Sequence, residues 1–478
     1  MTNAQVSGKQ GAHHIIIHIK VSSGNNGLMN LIAIIWSSVG VKTLQFILSF
    51  SILVTLHELG HFLTARWFKC RVEKFYLFFN PWFSLWKKKV GDTEYGIGWV
   101  PFGGYVKISG MIDESMDKEA MNQPPQPWEF RSKPAWQRLI IMTAGVIINV
   151  LLAIVIFIGI TWKWGEEYIP IENLKYGLYT DSLGAKIGLQ DGDKITAVAG
   201  KPITKVGTVG SEIIMNDATS ITVNRNGSTM QVALPAGFVG QLNRNRLGGF
   251  TYIRYPMVVD TISPKASILR GTMQKGDSLI AFNNSPAKFS GEFSRLTKGY
   301  KKDTGMFTLL RNGKDTVTAT LAFDKNNQMF VGFKLPVAIL GTKKITFTFS
   351  EAIPAGFKKC FTTLSNYINN LKLLFTSKEV KAQDSLGSVF SIANAFSDEW
   401  DWQSFWTLTG IFSIILAFMN ILPIPALDGG HALFTVAEIV TGRKPSDKFM
   451  EYAQMAGMVL LLGLMAYAMG LDVWRMFK

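Results

Sequence analysis

His57, Glu58 and His61 in "ILVTLHELGHFL" (52–63) carry the most specific chemistry in the chain. On a helix, residues four apart share a face, so both imidazoles can reach one metal ion. Zinc suits such a pair: imidazole nitrogens bind it at about 2.0–2.1 Å, and catalytic sites use three protein ligands and leave one position to water. The metal lowers that water's pKa toward about 7, and Glu58 is placed to take the proton. H-E-x-x-H arises by chance in long chains and is weak alone. Here it interrupts a run of apolar residues, where ionisable groups are expensive and usually mark a working site.

A third ligand is required. Three of the six histidines, His13, His14 and His18, lie in 1–28, leaving His431 beside the pair. "NILPIPALDGGHALF" (420–434) offers two candidates, Asp428 and His431. Pro423 and Pro425 break the preceding helix and let the chain turn back. Asp428 lies nearer that turn and is the expected ligand. The depths agree, because Arg66 is only about 8 Å of helix beyond His61 at 1.5 Å per residue.

The elements that position these groups are membrane spans. Of 478 residues, 47 % are hydrophobic and the mean hydropathy is +0.18. Segments 139–162, 404–427 and 452–471 contain no charged residue, and each approaches or exceeds the ~20 residues a helix needs to cross a bilayer. With 44–63 they predict four spans, set at 29–65, 139–162, 404–427 and 452–472. The net charge of +15 fits topology better than nucleic-acid binding, since no recognition motif accompanies it. Arg66, Lys69, Arg71 and Lys74, then Arg131, Lys133 and Arg138, then Arg443, Lys444 and Lys448 flank the spans on one side. The positive-inside rule makes that side cytoplasmic and puts both termini and the loop 163–403 outside. Cys70 and Cys360 fall on opposite sides, so no disulfide is expected between them.

Residues 1–28 read as a disordered extension, and 111–133 as a polar linker. Residues 93–110, "TEYGIGWVPFGGYVKISG", read as a glycine-rich β-hairpin within the cytoplasmic segment 66–138. It is apolar enough to dip into the membrane against the helices. Outside, "SLGAKIGLQDGDKITAVAGKPI" from Ser182 repeats as "ASILRGTMQKGDSLIAFNNSPA" from Ala266, at a constant offset of 84 residues. Each copy predicts a small-residue helix, a Gly-Asp turn and an alternating strand. The pattern resembles PDZ domains of bacterial periplasmic proteases, which capture extended peptides at a sheet edge. The two copies set domains at 166–246 and 247–336. Within the following segment 350–400, Phe357, Phe361, Leu364, Ile368, Leu371 and Phe375 recur at helical spacing, predicting an amphipathic helix on the outer membrane surface.

HELGH in a first span, "NILPIPALDGGH" after a late one, and PDZ-like repeats between them together resemble the site-2 protease family, and most of all its RseP-type bacterial members with tandem PDZ domains. The fold class expected is a multi-pass α-helical membrane protein: four transmembrane helices, a membrane-dipping β-hairpin and two extracytoplasmic PDZ-like α+β domains. The resemblance implies an intramembrane zinc metalloprotease of the bacterial inner membrane, with one zinc held by His57, His61 and Asp428 and with Glu58 as catalytic acid/base. It implies substrate contacts from Asn420 and from Gly103, Gly104 and Tyr105 of the β-loop. It also implies single-span membrane protein substrates of the anti-sigma factor and signal-peptide-remnant kinds, cut in regulated intramembrane proteolysis. Asn149 of "TAGVIIN" matches a family motif and is expected to pack between helices. The family's A-G-P is here A-G-V, at Val146. The alternative is a non-catalytic PDZ adaptor anchored in the membrane around a structural metal, which would not need Glu58. A metal carrier would place carboxylates or histidines in several spans; segments 139–162, 404–427 and 452–471 hold none, with Asp428 and His431 just beyond the end of one.

Overall fold

The computed structural model describes residues 27–111, 124–244, 250–264, 266–298, 300, 302–323, 329–376 and 389–476. Positions 1–26 of the expected extension, 112–123 of the linker and 377–388 after the amphipathic helix lie outside these. Four described helices are long and apolar enough to cross a membrane, over Val39–Trp67, Ala135–Trp164, Trp402–Ile421 and Lys448–Trp474. The first belongs to α1 (Gly27–Trp67) and the second is α2 (Ala135–Trp164). Then come α3 (Phe349–Thr376), α4 (Trp402–Ile421), α5 (Asp428–Thr441) and α6 (Asp447–Met476).

Small and polar residues build the bundle, because lipid gives apolar side chains no reason to prefer one another. A Cβ on Gly60 would fall 2.7 Å from the Ala144 carbonyl oxygen, so glycine lets α1 and α2 touch backbone to backbone. Thr409 of α4 donates to Ser49 Oγ of α1 at 2.9 Å, and Ser413 of α4 donates to the Asn149 carbonyl of α2 at 2.7 Å.

One helical expectation is corrected. The span expected to run to 427 stops at Ile421, where Leu422 turns extended and Pro423 and Pro425 cannot continue the helix. Phe357, Phe361 and Ile368 of the predicted apolar stripe are exposed on α3, the arrangement expected of an amphipathic face turned to lipid. The helix packs through Ala352, Gly356 and Cys360, four residues apart and all buried. It follows α2 and α4 from Trp162, which meets Phe349, to Phe418, which meets Tyr367. Small side chains permit that approach: a Cβ on Gly356 would lie 2.5 Å from the Ile158 backbone.

The expected hairpin at 93–110 is also corrected. Strands β1 (Val72–Phe79), β2 (Trp86–Val90), β3 (Thr93–Ile97) and β4 (Val100–Ile108) form one sheet in the order β2-β3-β1-β4. The hairpin joins β2 to β3, while β1 lies between β3 and β4. "VEKFYLFF" is rich in aromatic residues and makes a central strand, which leaves β4 at an edge. The sheet lies along α1: Phe62 packs edge-on against Phe75 at 5.3 Å, and a Cβ on Gly104 would touch Val54.

Between α2 and α3 lie two cores, one over Ile169–Phe250 completed by Leu340, the other over Met257–Val331. Their sheets share one strand order. The first is β8-β7-β5-β6, from β5 (Lys194–Val198), β6 (Lys201–Pro202), β7 (Ser220–Arg225) and β8 (Ser228–Ala233). The second is β9-β13-β12-β10-β11, from β9 (Ser267–Gly271), β10 (Ser278–Phe282), β11 (Ser285–Pro286), β12 (Thr304–Arg311) and β13 (Asp315–Ala322). The extra strand β9 corrects the expected small-residue helix of the second copy. In the first copy that helix exists at Ser182–Lys186, capped by the Asp181 carboxylate. The second has no acidic residue at the matching position and carries β-branched Ile268 instead.

The repeated Gly-Asp turn has a structural reason. Asp193 Oδ2 accepts from Gln190 N and pairs with Arg225 of β7, while Asp277 Oδ2 accepts from Gln274 N and pairs with Arg311 of β12. The Arg311 guanidinium holds the Asp277 carboxyl below the usual carboxylate range. A carboxyl whose pKa is depressed by folding stabilises the fold above the unfolded value of about 4, and that contribution is lost as pH falls below it. Asp277→Asn is therefore expected to lower the thermal midpoint of the detergent-solubilised protein at pH 7 and to narrow the gap from wild type at pH 3. Thermal unfolding at the two pH values checks this.

Candidate metal centre

The α1–α2 crossing sets the site. His57 and His61 project from α1 toward α2, both buried. His61 Nδ1 donates to the Ile141 carbonyl at 2.8 Å, which turns its Nε2 inward. A Cβ on Gly145 would stand 2.5 Å from His61 Nε2 and 2.7 Å from His57 Nε2. Only glycine leaves that cradle open beside the two nitrogens.

Asp428 arrives from the far side. The turn after α4 reverses the chain, with Ala426 at φ +79°, a region that non-glycine residues rarely occupy. Gly429 and Gly430 then let α5 tuck beneath residues 421–425, where a Cβ would meet the Leu422 and Ile424 carbonyls at 2.2 and 2.6 Å. Buried Arg138 of α2 forms an ion pair with Glu438 and ties α5 to α2. It is thus a structural clamp as well as one of the predicted flanking cations.

The result is a triangle of donor atoms. Asp428 Oδ2 lies 3.0 Å from His57 Nε2 and 3.3 Å from His61 Nε2, and the two nitrogens are 3.3 Å apart. Ligands at 2.0–2.1 Å around a tetrahedral zinc stand roughly 3.3–3.4 Å from one another. Asp428 Oδ2 is buried and accepts no aligned hydrogen bond despite these neighbours. The spacing, the donor types and the glycine cradle all fit zinc. Among the described residues, His57, His61 and Asp428 are the only group of three such side chains able to share a metal ion. His431, the rival ligand, lines the same cleft but stands outside that group.

A cleft of about 340 Å³ opens on the triangle, lined by Glu58, His61 and Asp428 and by Gly104, Tyr105, Val106 and Ile108 of β4. Glu58 is half-buried there. Asn420 Nδ2 stands 3.3 Å from His57 Nε2, so its amide reaches the centre. Tyr105 stacks on Tyr76 and donates to Asn80. Gly103 does not line the cleft: its φ is +153° and a Cβ there would strike the Phe79 ring at 2.6 Å, which is reason enough for glycine.

Three residues were not singled out as site residues. Gly145 and Ile141 act through space and backbone, and no side-chain chemistry announces either. Asn149, expected only to pack, has its side chain 3.2 Å from His57 Nδ1. The i, i+4, i+8 spacing of Ile141, Gly145 and Asn149 is the signal that could have found them.

The family model described as peptidase family M50 matches residues 45–464. Similar proteins include one of Treponema pallidum, 25 % identical over 461 residues that cover 91 % of this chain and all of that one. One of Neisseria meningitidis is 27 % identical over 91 % of this chain and 99 % of its own. One of Xylella fastidiosa is 28 % identical over 88 % and 96 %. Each is provisionally named a zinc metalloprotease.

Proposed function

The chain belongs to peptidase family M50, and from that premise we propose that it is an intramembrane zinc protease that hydrolyses peptide bonds within or beside the spans of membrane proteins. The observation that carries this is the donor triangle of His57, His61 and Asp428, opening on the same cleft as Glu58. Both lie among helices of membrane-spanning length.

His57, His61 and Asp428 would hold a zinc ion, which would supply Lewis acidity toward a water and the scissile carbonyl. Glu58 takes the proton from that water on its carboxylate and returns it to the leaving amine. Asn420 donates its amide to the substrate carbonyl as negative charge develops there. The substrate must be extended to be cut, because a helical carbonyl is already hydrogen-bonded. β4 supports this reading: among the described residues no strand pairs with its outer side, and Gly104 and Tyr105 bring it into the cleft. Substrate thus exchanges helical bonds for strand bonds along β4, with Gly103 shaping the strand and the sheet set at membrane depth.

The finer reading follows the charge pattern and the repeats. The protein lies in a bacterial inner membrane with its termini outside. The paired β-rich units, PDZ-like in their repeat, stand outside and admit substrates already trimmed. Anti-sigma factors and signal-peptide remnants are the substrate kinds, in regulated intramembrane proteolysis.

The test pairs Val106→Cys with single cysteines walked along a one-span substrate that the zinc-loaded protein cleaves. Disulfide yield is expected to alternate every second residue near the scissile bond, the period of a strand. A three-to-four-residue period would overturn strand addition, and failure to cleave any one-span substrate would overturn the protease reading.

A further inference from the structure

Asn149 is buried in α2 with no solvent access. Its Nδ2 lies 3.2 Å from His57 Nδ1, while its Oδ1, also buried, has no hydrogen-bond partner. His61 shows what a ligand in this triangle needs. With Nε2 in the triangle, its Nδ1 carries the proton and donates to the Ile141 carbonyl. His57 also has its Nε2 in the triangle, so its Nδ1 must likewise carry the proton and find an acceptor. An amide nitrogen cannot accept, but the amide oxygen can. The two ends of an asparagine amide are nearly the same shape and are assigned from their hydrogen bonds. A half-turn of the amide sets Oδ1 against His57 Nδ1–H and gives the orphaned oxygen its partner in the same step.

We infer that Asn149 is a positioning residue: it accepts the His57 Nδ1 proton through Oδ1, fixing the tautomer and ring orientation that leave Nε2 free for metal. α2 thus supplies an acceptor to each histidine, Ile141 to one and Asn149 to the other, with Gly145 between them. Ser413 of α4 donates to the Asn149 backbone carbonyl at 2.7 Å and holds this part of α2 in place. The inference rests on the metal site proposed above.

The experiment uses the full-length protein in detergent and cobalt(II) as the probe, measuring affinity by chelator competition and geometry by the visible absorption band. Asn149→Leu, which removes the acceptor, is expected to weaken cobalt binding about 10–100-fold and to alter the band. Asn149→Asp, whose carboxylate can accept but not donate, is expected to bind within about threefold of wild type. The leucine variant binding as tightly as wild type would overturn the inference, and so would the aspartate variant binding as weakly as the leucine variant. If the leucine variant does not fold, the aspartate variant decides: near-wild-type binding supports the acceptor role, and lost binding overturns it. A wild-type protein that takes up no cobalt, or one whose uptake is unaffected by His61→Gln, would overturn the metal site and this role with it. Tight wild-type uptake that Asn149→Leu leaves unchanged would overturn the role alone.

Discussion

Glu58→Gln is expected to give a protein that folds, keeps its metal and cleaves about 10²–10⁴-fold more slowly, because that is the range general acid–base groups contribute. The glutamine has nearly the same shape and size, and Glu58 is only half-buried, so the helix has no reason to change. The three donor atoms belong to other residues, so metal content should match wild type. What disappears is the carboxylate that takes and returns a proton. The loss should fall on kcat, with KM little changed, because Glu58 acts on the reacting water and the substrate is held elsewhere, at β4 and Asn420. Single-turnover cleavage of a one-span substrate, with zinc measured on the same preparation, checks both halves. The adaptor alternative expects no cleavage by either protein, since a structural metal needs its ligands but no base. A variant that keeps its zinc and cleaves at the wild-type rate would remove Glu58 from the chemistry.

The candidate ligand set was legible because its chemistry is carried by residue types that are rare in apolar segments. Two histidines and a glutamate inside a span, and an aspartate after a Pro-x-Pro break, stand out against their surroundings. What the sequence hid is everything that acts through shape. Gly60 and Gly356 are placed by close backbone approach and Gly145 by the two imidazoles it faces, and a glycine does not say whether it serves a turn, a cradle or a crossing. In α3 the large apolar residues were legible as an outward face, while the small residues through which it packs, Ala352, Gly356 and Cys360, were not. The hairpin error had another source. Residues 93–110 are strands, but the strand that separates them, Val72–Phe79, is supplied from upstream, and pairing order is not written in any local pattern. The Gly-Asp turns were legible as a repeat. Their arginine partners were not, because Arg225 and Arg311 lie more than 30 residues from the aspartates they meet. Asn149 shows the same limit at the site: a polar residue in a span packs or positions according to what stands opposite, and that was 92 residues away.

Asp428→Asn is expected to empty the centre without unfolding the bundle. The carboxylate contributes the only negative charge of the donor triangle, and it faces two neutral imidazoles that bind through lone pairs. An amide of the same shape keeps the turn and the packing of Gly429 and Gly430 but donates where it must bind. Losing an outer hydrogen-bond partner of a metal ligand typically weakens binding 10–100-fold, so losing a ligand outright should weaken it by on the order of 100-fold or more. His431→Gln supplies the contrast, since it lies one turn along α5 and lines the same cleft. It should retain about one zinc per chain, whereas Asp428→Asn should fall well below that after dialysis against a mild chelator. Zinc measured on both purified variants decides between the two ligands that the sequence left open. If His431→Gln loses the metal while Asp428→Asn keeps it, the third ligand sits one helical turn further along α5, and the reversal at Ala426 serves packing rather than chemistry.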